Sequence, residues 1–238
     1  MKEKSKEGAI LESIFKRLKS FFHEFKETFF APCIKTIPNS KNKIFLTFDD
    51  GPNEFCTPLV LELLKKHQVC STFFLVGKNI ESTKDVATKM IGDGHGIGNH
   101  SYDHHTLNYF KGVGAIKRWI SGGEQVIRKH LNVGPIGFRP PVGIRTPELK
   151  IALRKLKVPL IGWNIRFYDT LLAFDFKRSL KKIENIRSGD IILMHDSHRG
   201  AEHFVGELEK FIVHMKERGF EFGRLSDEYI QRGSVQNA

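Results

Sequence analysis

Two aspartates, Asp49 and Asp50, stand side by side at the end of the apolar run 44–48 and are followed at once by the chain-reversing pair Gly51-Pro52. Carboxylates at such range resist joint ionisation, so either one is held protonated or a cation lies between them. A second group follows in Gly94-His95-Gly96-Ile97-Gly98-Asn99-His100-Ser101-Tyr102-Asp103-His104-His105. His100 and His104 are four apart, the spacing that on one helical turn aims both imidazoles the same way and lets them share a metal with an external carboxylate. His95 and His105 are weaker ligand candidates. If one of the paired aspartates completes the set, its neighbour stays free as a base. Two histidines and one carboxylate leave coordination positions open, as catalytic metal sites do. Water at such an ion becomes a nucleophile near neutral pH, so the expected reaction class is hydrolysis.

Elements of regular spacing must carry these groups. From Lys43 onward the sequence alternates short apolar strands (44–48, 71–76, 158–163, 190–194, 220–223) with amphipathic helices (58–67, 82–92, 112–131, 146–156, 176–186, 202–218). Pro58 after Thr57 reads as the first helical position behind an N-cap. This alternation predicts an α/β fold with a mainly parallel sheet, open or closed into a barrel. In either form the site lies at the carboxyl ends of the strands, where Asp49, Asp50, Asp169 and His195 all fall. Ahead of this region, Leu11, Ile14, Phe15, Leu18, Phe21, Phe22, Phe25 and Phe29 recur at spacings of three and four, the pattern of an amphipathic helix over 9–30. Its Phe-rich face either packs on the protein's own domain, lies in the plane of a membrane or meets a partner. Residues 31–42, with Pro32 and Pro38, read as a linker. The expected plan is thus a helix and linker over 1–42, a catalytic domain over 43–230 and a frayed tail over 231–238.

A net charge of +11 attracts anionic partners such as acidic glycans or phospholipid head groups. The positive residues are spread along the chain with no aromatic-interleaved basic stripe, so no nucleic acid is expected. Cys33, Cys56 and Cys70 are an odd set with no CxxC spacing, which argues against a disulfide framework and for a reducing compartment. Cys70 reads as a buried thiol, and Cys56 is left open. No stretch approaches the roughly 20 apolar residues needed to cross a bilayer. Charges interrupt the N-terminal segment, so it lacks the apolar core of a signal peptide. The expectation is a cytoplasmic protein, peripheral at the inner face of the membrane if residues 9–30 bind there.

Several ordered motifs carry a family resemblance. Thr47-Phe48-Asp49-Asp50-Gly51-Pro52, His100-Ser101-Tyr102-Asp103-His104, Arg139-Pro140-Pro141-Val142-Gly143 and Leu193-Met194-His195 together resemble the NodB-like polysaccharide deacetylases, the family 4 carbohydrate esterases. The connecting phrase Ser71-Thr72-Phe73-Phe74-Leu75-Val76-Gly77 also looks like that family's second strand. The resemblance runs from about Lys43 to Tyr229. It implies a distorted (β/α) barrel with Asp50, His100 and His104 as metal ligands and Asp49 as general base toward the attacking water. It further implies that the backbone N–H of Val142 helps hold the oxyanion, and that His195 protonates the departing amine. Arg139 would hold Asp49 in position, and Asp169 would orient His195 or keep it cationic. Leu193 is most simply core, to which the resemblance adds a role lining the pocket for the acetyl methyl. Trp163 is grouped with the substrate pocket, with core packing as its alternative.

Two departures from the family pattern fall beside this machinery. Where the family has Trp, Asp, Asp and Trp at fixed spacing, the chain reads Trp163-Asn164-Ile165-Arg166-Phe167-Tyr168-Asp169-Thr170, so the first Asp is Arg166 and the second Trp is Thr170. The aromatic usual in the third motif is Val142, which keeps the backbone donor and alters the wall of the sugar groove. The resulting expectation is a metal-dependent N-deacetylase of N-acetylated amino sugars in a glycan or glycoconjugate. Zinc leads on ligand grounds, and cobalt, nickel or manganese suit the same site. A cytoplasmic, lipid-linked glycan precursor is the favoured substrate. The rivals are a deformylase, a hydrolase of non-sugar amides and a catalytically silent glycan-binding protein. The last has no need of both a base and an acid.

Overall fold

The computed structural model describes residues 29–197 and 200–235, with side chains to 231. Apart from Phe29 and Phe30, the helix expected over 9–30 lies outside the described residues. Strand β1 (Cys33–Ile34) is followed by β2 (Lys43–Asp49), α1 (Cys56–Lys66), β3 (Thr72–Leu75), α2 (Gly77–Ser82), α3 (Lys84–Gly92) and β4 (Gly96–Asn99). A 3₁₀ turn (Thr106–Phe110) leads into the long α4 (Gly112–Leu131), and a second (Pro141–Gly143) precedes α5 (Pro147–Leu156). Then come β5 (Leu160–Ile161), β6 (Ile165–Arg166), α6 (Phe176–Ile183), β7 (Ile191–His195), α7 (Ala201–Glu217), β8 (Glu221–Phe222) and α8 (Asp227–Val235).

The named strands pair in parallel in the order β4-β3-β2-β7-β6, with β8 also on β2 and β1 on β5. Parallel bridges Asn99–Phe138 and Phe138–Leu160 carry the pairing on from β4 to β5. The fold is therefore α/β with a parallel sheet, as the alternation of the sequence predicts.

Alternation within each strand sorts side chains onto two faces. Ile44, Leu46 and Phe48 of β2 join Phe73, Leu75, Ile192, Met194, Phe204, Leu208 and Phe211 in the core beneath the helices. Phe45 packs instead with Ile34, Ile37, Phe74, Ile161 and Ile191 on the inner face. Burying each such side chain contributes about 1.5–3 kcal/mol, so a one-residue slip of β2 is strongly resisted. The same alternation places Thr47 and Asp49 on the inner face with Phe45. By the same rule Leu193 and His195 share that face with Ile191.

Several local expectations are corrected. Helix α1 begins at Cys56 rather than behind Thr57, and Phe55 at its N-cap position makes no side-chain cap. Asn53 Oδ1 accepts instead from the N–H groups of Phe55 and Cys56 at 2.9 and 2.8 Å, an Asx turn that starts the helix early. The helix expected over 82–92 is α3, which begins at Lys84; a separate short helix, α2, precedes it and has its C-cap at Thr83, whose hydroxyl donates to the Asn79 carbonyl at 2.7 Å. The linker expected over 31–42 contains β1, and Ile34 and Ile37 are buried in the inner core, so this stretch is part of the packed unit. Helix α8 runs to Val235, so the backbone is regular past the start of the tail expected at 231.

Gly96 and Gly98 of the glycine-rich stretch lie in β4, where no strand was expected. A Cβ on Gly98 would lie 2.3 Å from Cδ1 of Phe74, so the bare backbone lets the neighbouring strand's aromatic ring lie flat against β4.

Candidate active site

Asp49 ends β2 on the inner face and is 2 % exposed. Its Oδ1 accepts from Arg139 Nη1 at 2.7 Å, and the same Nη1 donates to Thr47 Oγ1 at 2.8 Å. Nη2 donates to the Gly162 carbonyl at 2.9 Å, and the guanidinium lies 3.8 Å over the Phe74 ring. Arg139 itself is fully buried, so it is no surface arginine. Its position follows from Phe138, which bridges β4 and β5 and so delivers the next residue to the interior. Planar donors fit this site as an ammonium would not, because contacts to two strands and a carbonyl are made from one rigid fork.

Asp50 adopts φ 75, which turns its side chain out of the strand and toward the histidines. His100 Nε2 lies 3.4 Å and His104 Nε2 3.2 Å from Asp50 Oδ1. Neither approach is aligned as a hydrogen bond, so Oδ1 is a buried oxygen with no hydrogen-bond partner. Burial pushes the Asp50 carboxyl up, but the adjacent His100 and then the charges of His195 and His104 outweigh it and pull it down to about 2. The two aspartates thus have separate partners, the Arg139 guanidinium at Asp49 and the two imidazoles at Asp50.

The two histidines are not on a helical turn, contrary to expectation. His100 follows β4 directly, its N–H donating to the Leu75 carbonyl at 2.8 Å. Its Nδ1 lies 2.8 Å from the Arg139 carbonyl, which can only accept, so Nδ1 carries the proton and Nε2 presents its lone pair to Asp50. Ser101 and His104 adopt φ 76 and 59. Ser101 N–H donates to Asn99 Oδ1 at 2.8 Å and His104 N–H to Ser101 Oγ at 3.1 Å, folding a tight loop that brings the second imidazole back to the first. Burial, and then His100, hold His104 below its ordinary range, in the neutral form that ligates. Ligand atoms of Asp50, His100 and His104 all lie within 4.8 Å of one another. A buried, unpartnered carboxylate oxygen facing two imidazole nitrogens fits a divalent cation.

His195 ends β7, beside Asp49 of β2. Asp169 holds it twice, accepting from its backbone N–H at 2.8 Å and contacting Nδ1 at 3.0 Å. Burial alone would lower the imidazole, but the hydrogen bond and charge of Asp169, with Asp49 and Asp50 beyond, raise it to about 9. At neutral pH His195 is therefore an imidazolium whose Nε2 proton is available to a bound molecule.

A family model described as polysaccharide deacetylase matches residues 36–161. The chain belongs to the polysaccharide deacetylase family. It is 31 % identical over 187 residues to a peptidoglycan-N-acetylglucosamine deacetylase of Bacillus cereus, covering 78 % of this chain and 67 % of that one. It is 27 % identical over 201 residues to the peptidoglycan-N-acetylglucosamine deacetylase PgdA of Listeria monocytogenes; there the match covers 84 % of this chain but spans only 42 % of the relative's length. Among solved structures, the family 4 acetyl xylan esterase of Clostridium thermocellum in complex with a cobalt ion superposes with a TM-score of 0.70 at 29 % identity, covering 82 % of this chain and 91 % of that one.

In this member of the family the residues expected to line the pocket lie on the second 3₁₀ turn, just after β5 and on β7. Val142 is 63 % exposed on the second 3₁₀ turn and adopts φ 52, an outlying conformation for a β-branched residue. The turn is tied down by Tyr109, whose hydroxyl donates to the Pro141 carbonyl at 3.0 Å. Trp163 packs beneath it: a Cβ on Gly143 would come within 2.8 Å of Cη2 of the indole. Leu193 is buried on β7 opposite Thr47.

Asp196 is the residue that sequence reasoning missed. It is fully buried, its Oδ2 accepting from Thr57 Oγ1 at 2.6 Å while Oδ1 has no partner. A Cβ on Gly51 would lie 2.4 Å from that Oδ2, so the carboxyl is wedged under the turn that follows Asp50. Thr57 also accepts from the Asn53 N–H at 2.8 Å, tying the start of α1 to the end of β7. Burial raises the Asp196 carboxyl to about 7. The available signal was its place directly after His195 at a strand end, an echo of the Asp49-Asp50 pair.

Proposed function

We propose that the protein is a divalent-metal-dependent hydrolase that removes N-acetyl groups from amino sugars within a glycan, N-acetylglucosamine in peptidoglycan or chitooligosaccharides foremost. The observation that carries this reading is the juxtaposition of a proton acceptor and a proton donor, at the ends of neighbouring strands, beside one metal-binding set. Asp49 is tied to Arg139, and His195 to Asp169. Asp50, His100 and His104 would hold the ion. Bound there, a divalent ion acidifies water and polarises an amide carbonyl.

The chain's own groups supply the proton movements. Asp49 Oδ1 is engaged by Arg139, which leaves Oδ2, 3.8 Å from His100 Nε2, to accept a proton from the attacking water. His195, cationic at neutral pH, donates to the departing amine nitrogen, which without that proton is a very poor leaving group. Asp169 fixes the ring and stabilises its charge. The Val142 N–H, on the exposed 3₁₀ turn, is assigned to the developing oxyanion, and Leu193 to the acyl methyl. The pairing that runs from β6 round to β5 supports an incompletely closed (β/α) barrel as the scaffold.

Zinc is the proposed ion, since two imidazoles and one carboxylate with open positions suit it. The Clostridium thermocellum relative's cobalt supports the same class of site. Incubating metal-loaded protein with N-acetylglucosamine oligomers and peptidoglycan fragments and measuring acetate tests the reading. Acetate release that disappears in Asp49→Asn is expected; no acetate from any N-acetylated glycan would overturn it.

A further inference from the structure

Arg166, Tyr168 and Lys182 form a positively charged edge beside His195 that the hydrolytic step does not use. Arg166 ends β6, where its Cα is the partner of Leu193, two residues before His195. The flanking Ile165 and Phe167 pack against the core beneath the helices. Alternation therefore turns Arg166 toward the inner face that Leu193 and His195 share. Its guanidinium carbon lies 3.9 Å over the Tyr168 ring, and its Nε is buried with no hydrogen-bond partner. Lys182 of α6 donates to the Arg166 carbonyl at 2.8 Å and stands 5.1 Å from the same ring. Among the described residues neither cation has a carboxylate partner. The nearest acid along the chain, Asp169, is engaged by His195.

Two unneutralised cations held 3.9 and 5.1 Å from the centre of one ring repel one another, and the arrangement is relieved when an anion joins them. A guanidinium stacked on a ring keeps its planar N–H fork open at the edge, the geometry that receives carboxylate or phosphate oxygens in pairs. The family pattern has an aspartate where this chain has Arg166, so the sign of the charge beside the acid is inverted.

We infer that Arg166 and Lys182, seated on Tyr168, form a subsite for an oxyanion carried by the glycan, a carboxylate or phosphate close to the sugar that is deacylated. The inference rests on the deacetylase reading and narrows its substrate to a negatively charged glycan. The decisive comparison uses full-length, zinc-loaded protein and three glycans of similar length. One is a neutral N-acetylglucosamine oligomer, one alternates N-acetylglucosamine with N-acetylmuramic acid, and one is an N-acetylglucosamine oligomer with a terminal phosphate.

Acetate release should favour at least one charged glycan over the neutral one by about tenfold in kcat/KM at low ionic strength. The preference should sit in KM and shrink as salt is added. The charged arm that is preferred identifies the oxyanion. Arg166→Gln, and independently the exposed Lys182→Gln, should collapse the charged-to-neutral ratio toward one, with Arg166→Lys recovering part of it. Equal treatment of charged and neutral glycans by the unaltered protein, or a ratio that survives both Gln variants, would overturn the inference. If no glycan released acetate, the deacetylase reading would fail instead. Calorimetric titration with the same three glycans then decides the subsite: tighter binding of a charged glycan, lost in Arg166→Gln, supports it, and equal binding overturns it.

Discussion

Asp49 and His195 are lateral partners in the parallel β2–β7 ladder, Cα opposite Cα on the same inner face. The distance between the proposed base and acid is therefore set by the hydrogen-bond register of two central strands. Their burial pattern resists slippage, because a shift of one residue would exchange Leu46, Phe48, Ile192 and Met194 for the polar face. Each of the two is then steadied by a partner from elsewhere in the chain, Arg139 for Asp49 and Asp169 for His195.

The adjacent aspartates should separate cleanly by mutation. Asp49→Asn should retain bound metal while kcat falls on the order of 10²-fold or more, the usual scale for loss of a positioned base. Asp50→Asn should lose metal on dialysis, because only the imidazoles remain to hold it. Metal content by elemental analysis, measured beside turnover, distinguishes them; identical behaviour of the two variants would refute the division.

The acid should impose a basic limit on activity. His195 is raised to about 9, so kcat/KM should hold through neutral pH and fall as pH rises through about 9. In Asp169→Asn that limb should move down toward the ordinary histidine value of about 6.5. The pair's contribution to stability has the same sign: it is fully present below the ordinary histidine value and is lost as pH rises through about 9. A pH–rate profile of the two proteins checks the shift, and coincident basic limbs would contradict the assignment.

Asp196 should contribute to stability in the opposite sense from a salt-bridged aspartate. Its folded carboxyl is raised to about 7 from an ordinary value of 3.8, so the folded state binds the extra proton between them and loses stability as pH climbs through that window. The loss should be on the order of 1–4 kcal/mol. Asp196→Asn keeps an acceptor for Thr57 and removes the titration. Urea denaturation of metal-free protein at pH 4 to 8 should show a flatter dependence in the variant, and parallel curves would rule the effect out.

Gly98→Ala should damage the site from a distance. Its methyl would lie 2.3 Å from the Phe74 ring, the same ring on which the Arg139 guanidinium rests. A destabilisation of about 1–3 kcal/mol is expected from such overpacking, together with reduced turnover as Arg139 shifts against Asp49. Chemical denaturation and acetate release measure both, and unchanged values would show that β4 and β3 have room to part.

The sequence by itself determined the residue types and the strand ends that carry them. Period-two apolar runs ending in Asp49-Asp50 and in His195, and a helical period between them, depend only on near neighbours, so α/β alternation with a site at the carboxyl ends of the strands was legible. Boundaries such as the start of α1 were not, because Thr57, the residue expected at its cap, is held instead by Asp196 at the end of β7, leaving Asn53 to start the helix. Tertiary structure alone decided how His100 and His104 meet. Their spacing suggested a helix, but a loop with left-handed Ser101 and His104 does the work, fixed by the Arg139 carbonyl 39 residues away. It also decided that Arg139 is buried under Asp49, 90 residues from it in sequence, and that Asp196 is an enclosed carboxyl, not an exposed one. Burial and long-range hydrogen-bond partners are properties of the packed chain, and no local pattern of residues encodes them.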